Sequence, residues 1–312
     1  MRVKIVGSAA GGGFPQWNCN HYLSRAARAG VVGVRPRTQS SLAASADGKR
    51  WVLFNASPDI RQQIADTPEL QPQVGNGPRS TPISAVVLTN GDVDHIAGLL
   101  SMRERQPFAI YATERVLAAL RDNPVFNVLD PALVPRRELQ EGEEFEIRDA
   151  EGRETGLHVQ AFSVPGKVAL YLEDPSRPED NYGSEAGDTV AVRLAASNNS
   201  GSLFYIPGCA RIDPELRTRL AGATCLLFDG TLYTDDEMLV AGVGPKTGSR
   251  MGHLAMSGED GSISQLAGVP IGRRIFVHIN NTNPVLDESS VEHELVRAAG
   301  WEIGCDGMEI RL

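Results

Sequence analysis

Leu88-Thr89-Asn90-Gly91-Asp92-Val93-Asp94-His95-Ile96-Ala97-Gly98-Leu99 carries the strongest structural signal in this chain. It continues the apolar run at 83–89, which has the character of a strand buried on both faces of a sheet. A polar turn ends that strand, and a helix is expected over 95–103. Asp92, Asp94 and His95 crowd into the turn. Neighbouring carboxylates repel unless a positive charge sits between them, so this trio suits a cation. A helix start disfavours a protonated imidazole, which leaves His95 neutral and able to bind metal. The plainer reading is a helix cap by Asp92 or Asp94, with His95 exposed by chance.

Working outward, the first half predicts strands at 2–6, 39–45, 50–54 and 108–111 and helices at 58–66 and 113–121. The second half predicts strands at 157–163, 168–173, 189–195, 202–206, 224–228 and 274–279. Its helices are expected at 213–221, 261–267 and 288–299, the last with Val291, Leu295 and Val296 on one face. Residues 66–81, 122–138 and 174–188 read as loops. Two β-rich halves with interspersed helices predict a layered α/β protein, one domain over 1–312, built as a sandwich of two sheets.

The 312 residues carry a net charge of −9, with no basic run that would suit nucleic acid. Cys19, Cys209, Cys225 and Cys305 form no CxxC pair, which speaks for a reducing compartment rather than a disulfide scaffold. The N-terminus reads as a short strand and not a signal peptide, and no apolar stretch would span a membrane. A cytoplasmic protein is expected.

Four further places could carry chemistry. His278 ends an apolar strand before a polar turn, a position that serves a cleft ligand or a hydrogen-bonded core histidine. His253 follows Gly252 in a loop and could ligate, carry a proton, or simply lie at the surface. Cys209 follows a strand, where a ligand or a small buried thiol fits. The glycine-rich run Gly7-Ser8-Ala9-Ala10-Gly11-Gly12-Gly13-Phe14-Pro15-Gln16-Trp17-Asn18-Cys19-Asn20 matches no nucleotide fingerprint. It suits close backbone approach to a ligand, with Trp17 as an aromatic wall and Asn18 beside it, or a structural turn.

The 88–99 segment resembles the metallo-β-lactamase signature HxHxDH, of which Asp94 and His95 keep the last two positions. Asn90 and Asp92 stand in place of its two leading histidines. Together with the 7–20 run, 205–209, Phe228-Asp229-Gly230-Thr231, Met251-Gly252-His253 and 276–284, the chain resembles the coenzyme PQQ (pyrroloquinoline quinone) synthesis B family over most of its length. The resemblance implies a four-layer αββα sandwich. It sets Cys209 where the superfamily commonly has a bridging Asp and matches His278 to the late histidine ligand. It also likens His253 to the Gly-His of the tRNA-processing branch. The family's cysteine cluster, which holds a structural zinc, is reduced here to Cys19 and His21, too few for a closed site.

The resemblance implies a role in PQQ biosynthesis on a small-molecule or peptide-derived precursor, with other pathway proteins as partners. Loss of the leading histidines favours a single metal. His95, His278 and a carboxylate from Asp92 or Asp94 resemble the two-histidine, one-carboxylate set that suits Fe(II), with Zn(II) as the alternative. The implied activity is iron-dependent hydroxylation of the tyrosine ring of a Glu–Tyr cross-linked precursor. Cys209 is an additional ligand in this reading, His253 a proton carrier, and Asp229 a group that orients a ligand. A carrier for PQQ or its precursor, and a metal-dependent hydrolase, are the competing implications.

Overall fold

Six strands of the first half are β1 (Arg2–Gly7), β2 (Ser41–Ser45), β3 (Trp51–Phe54), β4 (Ile83–Val87), β5 (Ala109–Ala112) and β6 (Arg136–Glu138). They are followed by β7 (Glu144–Arg148), β8 (Glu154–Ser163), β9 (Val190–Ala196), β10 (Ser202–Ile206), β11 (Cys225–Asp229), β12 (Arg273–Val277), β13 (Glu302–Ile303) and β14 (Glu309–Arg311). One sheet has the order β14-β1-β2-β3-β4-β5-β6 and the other β13-β12-β11-β10-β9-β8-β7. The computed structural model describes residues 1–174, 176, 184–197 and 201–312, so most of the 174–188 loop expected from the sequence lies outside the described residues.

Side chains alternate between two cores along each central strand. On β3, Val52 and Phe54 enter the core between the sheets, whereas Trp51 and Leu53 face the helices outside. On β11, Cys225 and Leu227 point between the sheets, while Leu226 and Phe228 point to the opposite helix layer. That alternation, with apolar residues on both faces, explains why the strands read as unbroken hydrophobic runs. Parallel pairing of β3 through β6, and of β10 through β13, requires crossover connections, and these supply the outer helices. Helices Ile60–Asp66 and Glu114–Asp122 cover the first sheet; Tyr22–Arg28, Pro214–Leu220 and Val291–Ala298 cover the second. The expected four-layer αββα sandwich is present.

Several local expectations are corrected. Residues 168–173 form no strand; Leu170–Leu172 is a 3-10 turn. Its polar groups go to the 91–92 turn instead of a ladder: Leu170 N to Asp92 Oδ1 at 3.4 Å and Tyr171 Oη to Gly91 O at 2.9 Å. The helix expected at 95–103 begins earlier, at Val93–Ile96, and tightens to 3-10 over Ala97–Met102. Gly98 N bonds Ala56 O at 2.8 Å, which diverts it from the α ladder. The helix expected at 261–267 is the single turn Ser262–Gln265, and 288–299 shortens to Val291–Ala298. That helix buries Val296 but leaves Val291 and Leu295 exposed. The short edge strands β6, β13 and β14 carry too little apolar signal to be read, whereas Glu144-Phe145-Glu146-Ile147-Arg148 of β7 alternates clearly.

Candidate metal centre

Every predicted site side chain except those of the glycine-rich loop follows the carboxyl end of a parallel strand or packs beside one, where open α/β sheets leave a crevice. Past β4, Thr89 is anchored by Asn55, whose Oδ1 accepts the Thr89 N–H at 2.9 Å. The Asn90 carboxamide turns back to the Asp92 N–H at 3.0 Å. The turn delivers Asp94 and His95 on the helix Val93–Ile96, and His95 O accepts the Ala56 N–H at 2.7 Å. His95 is fully buried, and its Nε2 has no hydrogen-bond partner among the described residues.

His278 lies one residue beyond β12 with φ of 58°. This left-handed kink, rare for a residue with a side chain, goes with a ring that meets Asp94 on one side and Thr231 on the other. His278 Nε2 is 3.2 Å from Asp94 Oδ2, and His95 Nε2 is 3.7 Å from the same oxygen. Asp94, His95 and His278 thus offer three donor atoms within 4.8 Å of one another. Ligand atoms sharing a metal at ordinary bond lengths stand roughly 3–3.5 Å apart, so the residues present fit a single ion.

The hydrogen bonds behind His278 sharpen that fit. Asp229 is wholly buried, and its Oδ1 accepts the Thr231 hydroxyl at 2.6 Å and the Thr231 N–H at 3.0 Å. With its proton so used, Thr231 Oγ1 accepts the Nδ1–H of His278 at 2.8 Å. Nε2 is then a lone pair facing the Asp94 carboxylate, and a cation between the two relieves that opposition. Burial resists charge on His278, but the hydrogen bond and charge of Asp94 outweigh it and raise its pKa. Burial lowers His95 to about 4 against the pull of Asp94. Asp94 is held below the carboxylate range: burial opposes this, and the neighbouring His95 and His278 prevail.

Asp229, His253 and His278 form a second close group. Its contacts are hydrogen bonds. His253 Nδ1 lies 2.7 Å from Asp229 Oδ2, which also accepts the Cys209 N–H at 2.9 Å. The His253 and His278 rings stack at 5.1 Å.

The other predicted residues stand apart from the Asp94–His95–His278 donors. Asp92 is half-buried beside them, its pKa raised to about 6 by burial and by Asp94. The Cys209 thiol bonds Arg211 O at 3.1 Å inside the helix-side core, and burial pushes its pKa up. Trp17 is 86% exposed, and Asn18 lines a separate cavity with Gln16, His21 and Asn281. Gly11 does approach the centre: a Cβ there would stand 3.4 Å from the Asp94 carboxylate. Sequence reasoning singled out Asp229 and passed over Thr231, although Asp-Gly-Thr at a strand end was the available signal.

The profile of the beta-lactamase superfamily domain matches residues 50–279. A coenzyme PQQ synthesis protein B of Methylobacterium nodulans is 56% identical over 312 residues, covering 100% of both chains. Among solved structures, a zinc-bound relative from Methylobacterium extorquens matches with a TM-score of 0.93 at 54% identity over 100% of both chains. A diphosphatase of the PhnP family matches with a TM-score of 0.67 at 20% identity, over 100% of this chain and 97% of that one, and shows the fold alone. The chain belongs to the coenzyme PQQ synthesis protein B family, within the β-lactamase superfamily.

Proposed function

We propose that this chain acts in PQQ biosynthesis as a single-domain, metal-dependent enzyme that hydroxylates the tyrosine ring of a Glu–Tyr cross-linked precursor. The observation that carries the reading is the convergence of one carboxylate, Asp94, with two imidazoles, His95 and His278, the first of which leaves a buried nitrogen unpartnered among the described residues. Such a set suits Fe(II) with positions left for O₂ and substrate, and a bound Fe(II) supplies the redox chemistry that Zn(II) lacks. Among the chain's own groups, Asp229 takes the Nδ1–H of His253, which leaves His253 Nε2 able to accept the phenolic proton of the ring. Thr231 keeps His278 in the tautomer whose Nε2 faces Asp94. Asp92 and Cys209 are not needed as ligands. Four free cysteines agree with a cytoplasmic setting.

The zinc-bound relative favours a second reading, a metal-dependent hydrolase acting on a peptide precursor. Asn90 stands against it, because its carboxamide caps its own turn where the superfamily signature has a histidine. The test is mass spectrometry of the cross-linked Glu–Tyr compound after exposure to Fe(II)-loaded protein, O₂ and ascorbate, with zinc-loaded protein as control. Oxygen gain only with iron supports the hydroxylase. Cleavage by the zinc form supports the hydrolase, and binding without change of mass supports a carrier.

A further inference from the structure

We propose that the cavity between the glycine-rich loop and residues 238–243 is a binding site for an uncharged amide, held by the carboxamides of Gln16 and Asn281. Its service as a substrate pocket rests on the reading of the neighbouring centre as the place of reaction; the binding itself does not.

The cavity measures about 440 Å³, within the range of small-molecule sites, and no Asp, Glu, Lys or Arg lines it. Burial lowers the pKa of His21, the one titratable ring on its wall, and keeps that ring neutral. Met238, Ala241 and Val243 give it an apolar side. Two consecutive glycines join it to the metal centre. A Cβ on Gly11 would stand 3.4 Å from the Asp94 carboxylate, and one on Gly12 would stand 2.9 Å from Gln16 Cδ. Asn281, on the same wall, is three residues past His278. Cys19 and His21 also line the cavity, but neither joins a close group of three His, Cys, Asp or Glu donors among the described residues, so the walls suit a molecule rather than an ion.

A chain of hydrogen bonds behind the wall fixes which atoms the two carboxamides have to spare. The Thr282 hydroxyl donates to Glu237 Oε1 at 2.5 Å. With its proton so used, Thr282 Oγ1 accepts an Asn280 Nδ2–H at 2.7 Å. That turns Asn280 Oδ1 toward Asn281, whose Nδ2 donates to it at 3.2 Å and to Gln16 Oε1 at 2.6 Å. Both amide orientations follow from this sequence of donors and acceptors. Asn281 is 4% exposed, and its remaining atom, Oδ1, is buried with no hydrogen-bond partner among the described residues. The remaining atom of Gln16 is Nε2, a donor. A buried acceptor without a partner costs stability, and a ligand N–H restores that bond. One acceptor and one donor on neighbouring carboxamides pair with the N–H and C=O of a primary carboxamide, or with those on one edge of an extended peptide residue. A carboxylate lacks the N–H and would bring a charge to a wall that holds no cation.

The test uses full-length, zinc-loaded protein with methyl-labelled methionine at pH 8 and follows the Met238 methyl resonance, assigned with Met238→Leu. The probes are N-acetyl-L-valinamide, its N-methylamide, and N-acetyl-L-valine as the carboxylate control. The valinamide is expected to shift the Met238 signal in a saturable way, and the carboxylate to bind at least about tenfold more weakly. Equal binding of the N-methylamide assigns the site to a peptide edge, and its exclusion assigns it to a terminal carboxamide. Gln16→Met, which keeps the length and removes the donor, is expected to weaken the valinamide about three- to tenfold, the weight of one hydrogen bond. Zinc content and thermal melting of the variant separate this effect from loss of the centre or of the fold. The proposal is overturned if no amide moves the Met238 signal, if the carboxylate binds as well as the valinamide, or if an intact Gln16→Met protein keeps the wild-type affinity. The comparison of probes on the wild type needs neither the variant nor turnover, so a failure of the hydroxylase reading leaves its result intact.

Discussion

The Thr231 hydroxyl accepts the Nδ1–H of His278 over 2.8 Å while it donates its own proton to Asp229 over 2.6 Å. That pair of bonds decides which nitrogen of His278 is left for a metal. Thr231→Val keeps the volume and removes the acceptor, so His278 loses its preferred tautomer. Metal affinity is expected to fall roughly 10- to 100-fold, measured by competition with a chromophoric chelator. Thr231→Ser, which restores the hydroxyl, is expected to stay within a few-fold of the wild type. Equal affinity in all three proteins would remove Thr231 from this role.

His278→Ala and Cys209→Ala are expected to part company. Without His278 the centre keeps Asp94 and His95 alone, and metal content after dialysis should be lost. The Cys209 thiol points to Arg211 O and not to the donors, so Cys209→Ala should keep its metal. Its cost should fall on the fold, about 1–2 kcal/mol for a vacated buried site and an unmet carbonyl, read by urea denaturation. Loss of metal from the Cys209 variant would restore it as a ligand.

Gly98 bears on His95 at a distance. A Cβ at Gly98 would stand 2.1 Å from Ser57 O and 2.7 Å from Ala56 O. Gly98→Ala must push the 93–102 segment away from that strand end, and His95 is tied to the same Ala56 backbone. A loss of about 1–3 kcal/mol of stability is expected, with weaker metal binding alongside. Unchanged metal affinity in a destabilised Gly98→Ala protein would show that His95 is placed independently.

Glu237 offers a test by pH. Burial raises its pKa to about 7, although Thr282 Oγ1 and Tyr233 N both donate to it. The folded protein therefore holds a proton that the unfolded chain releases near 4.5. The associated stability is complete below that value and is lost as pH rises through 7. Roughly 3 kcal/mol is the upper bound of the change. Glu237→Gln should flatten the dependence of melting temperature on pH between 5 and 8 and be the more stable protein at pH 8. A wild-type stability that rises over that interval, or an unchanged slope in the variant, would contradict the assignment.

Asp94, His95 and His278 were legible in the sequence because strand-to-turn boundaries show in one dimension. A hydrophobic run that stops at a polar turn, with ligand-type residues just past it, marks a crevice whatever the run pairs with. The central strands were legible for the same reason: a segment apolar on both faces has no stable place but the interior of a layered fold. The edge strands β13 and β14 were not, since two or three residues carry no periodicity and form only because a neighbouring strand offers open hydrogen bonds.

The sequence alone determined the layered class of this protein, its family and the short set of groups from which a metal centre could be built. Tertiary structure alone decided which of them meet. Asp94 and His278 are 184 positions apart and 3.2 Å apart in space; the Cys209 sulfur, in the crevice's own neighbourhood, turns into a core instead. No periodicity encodes either outcome: Asp94 and His278 follow strands of different sheets, and the Cys209 thiol is taken by Arg211 O once its segment folds into the helix-side core. The same holds for Thr231, an ordinary threonine in the chain, which acquires a role only when Asp229 takes its proton and His278 needs its oxygen.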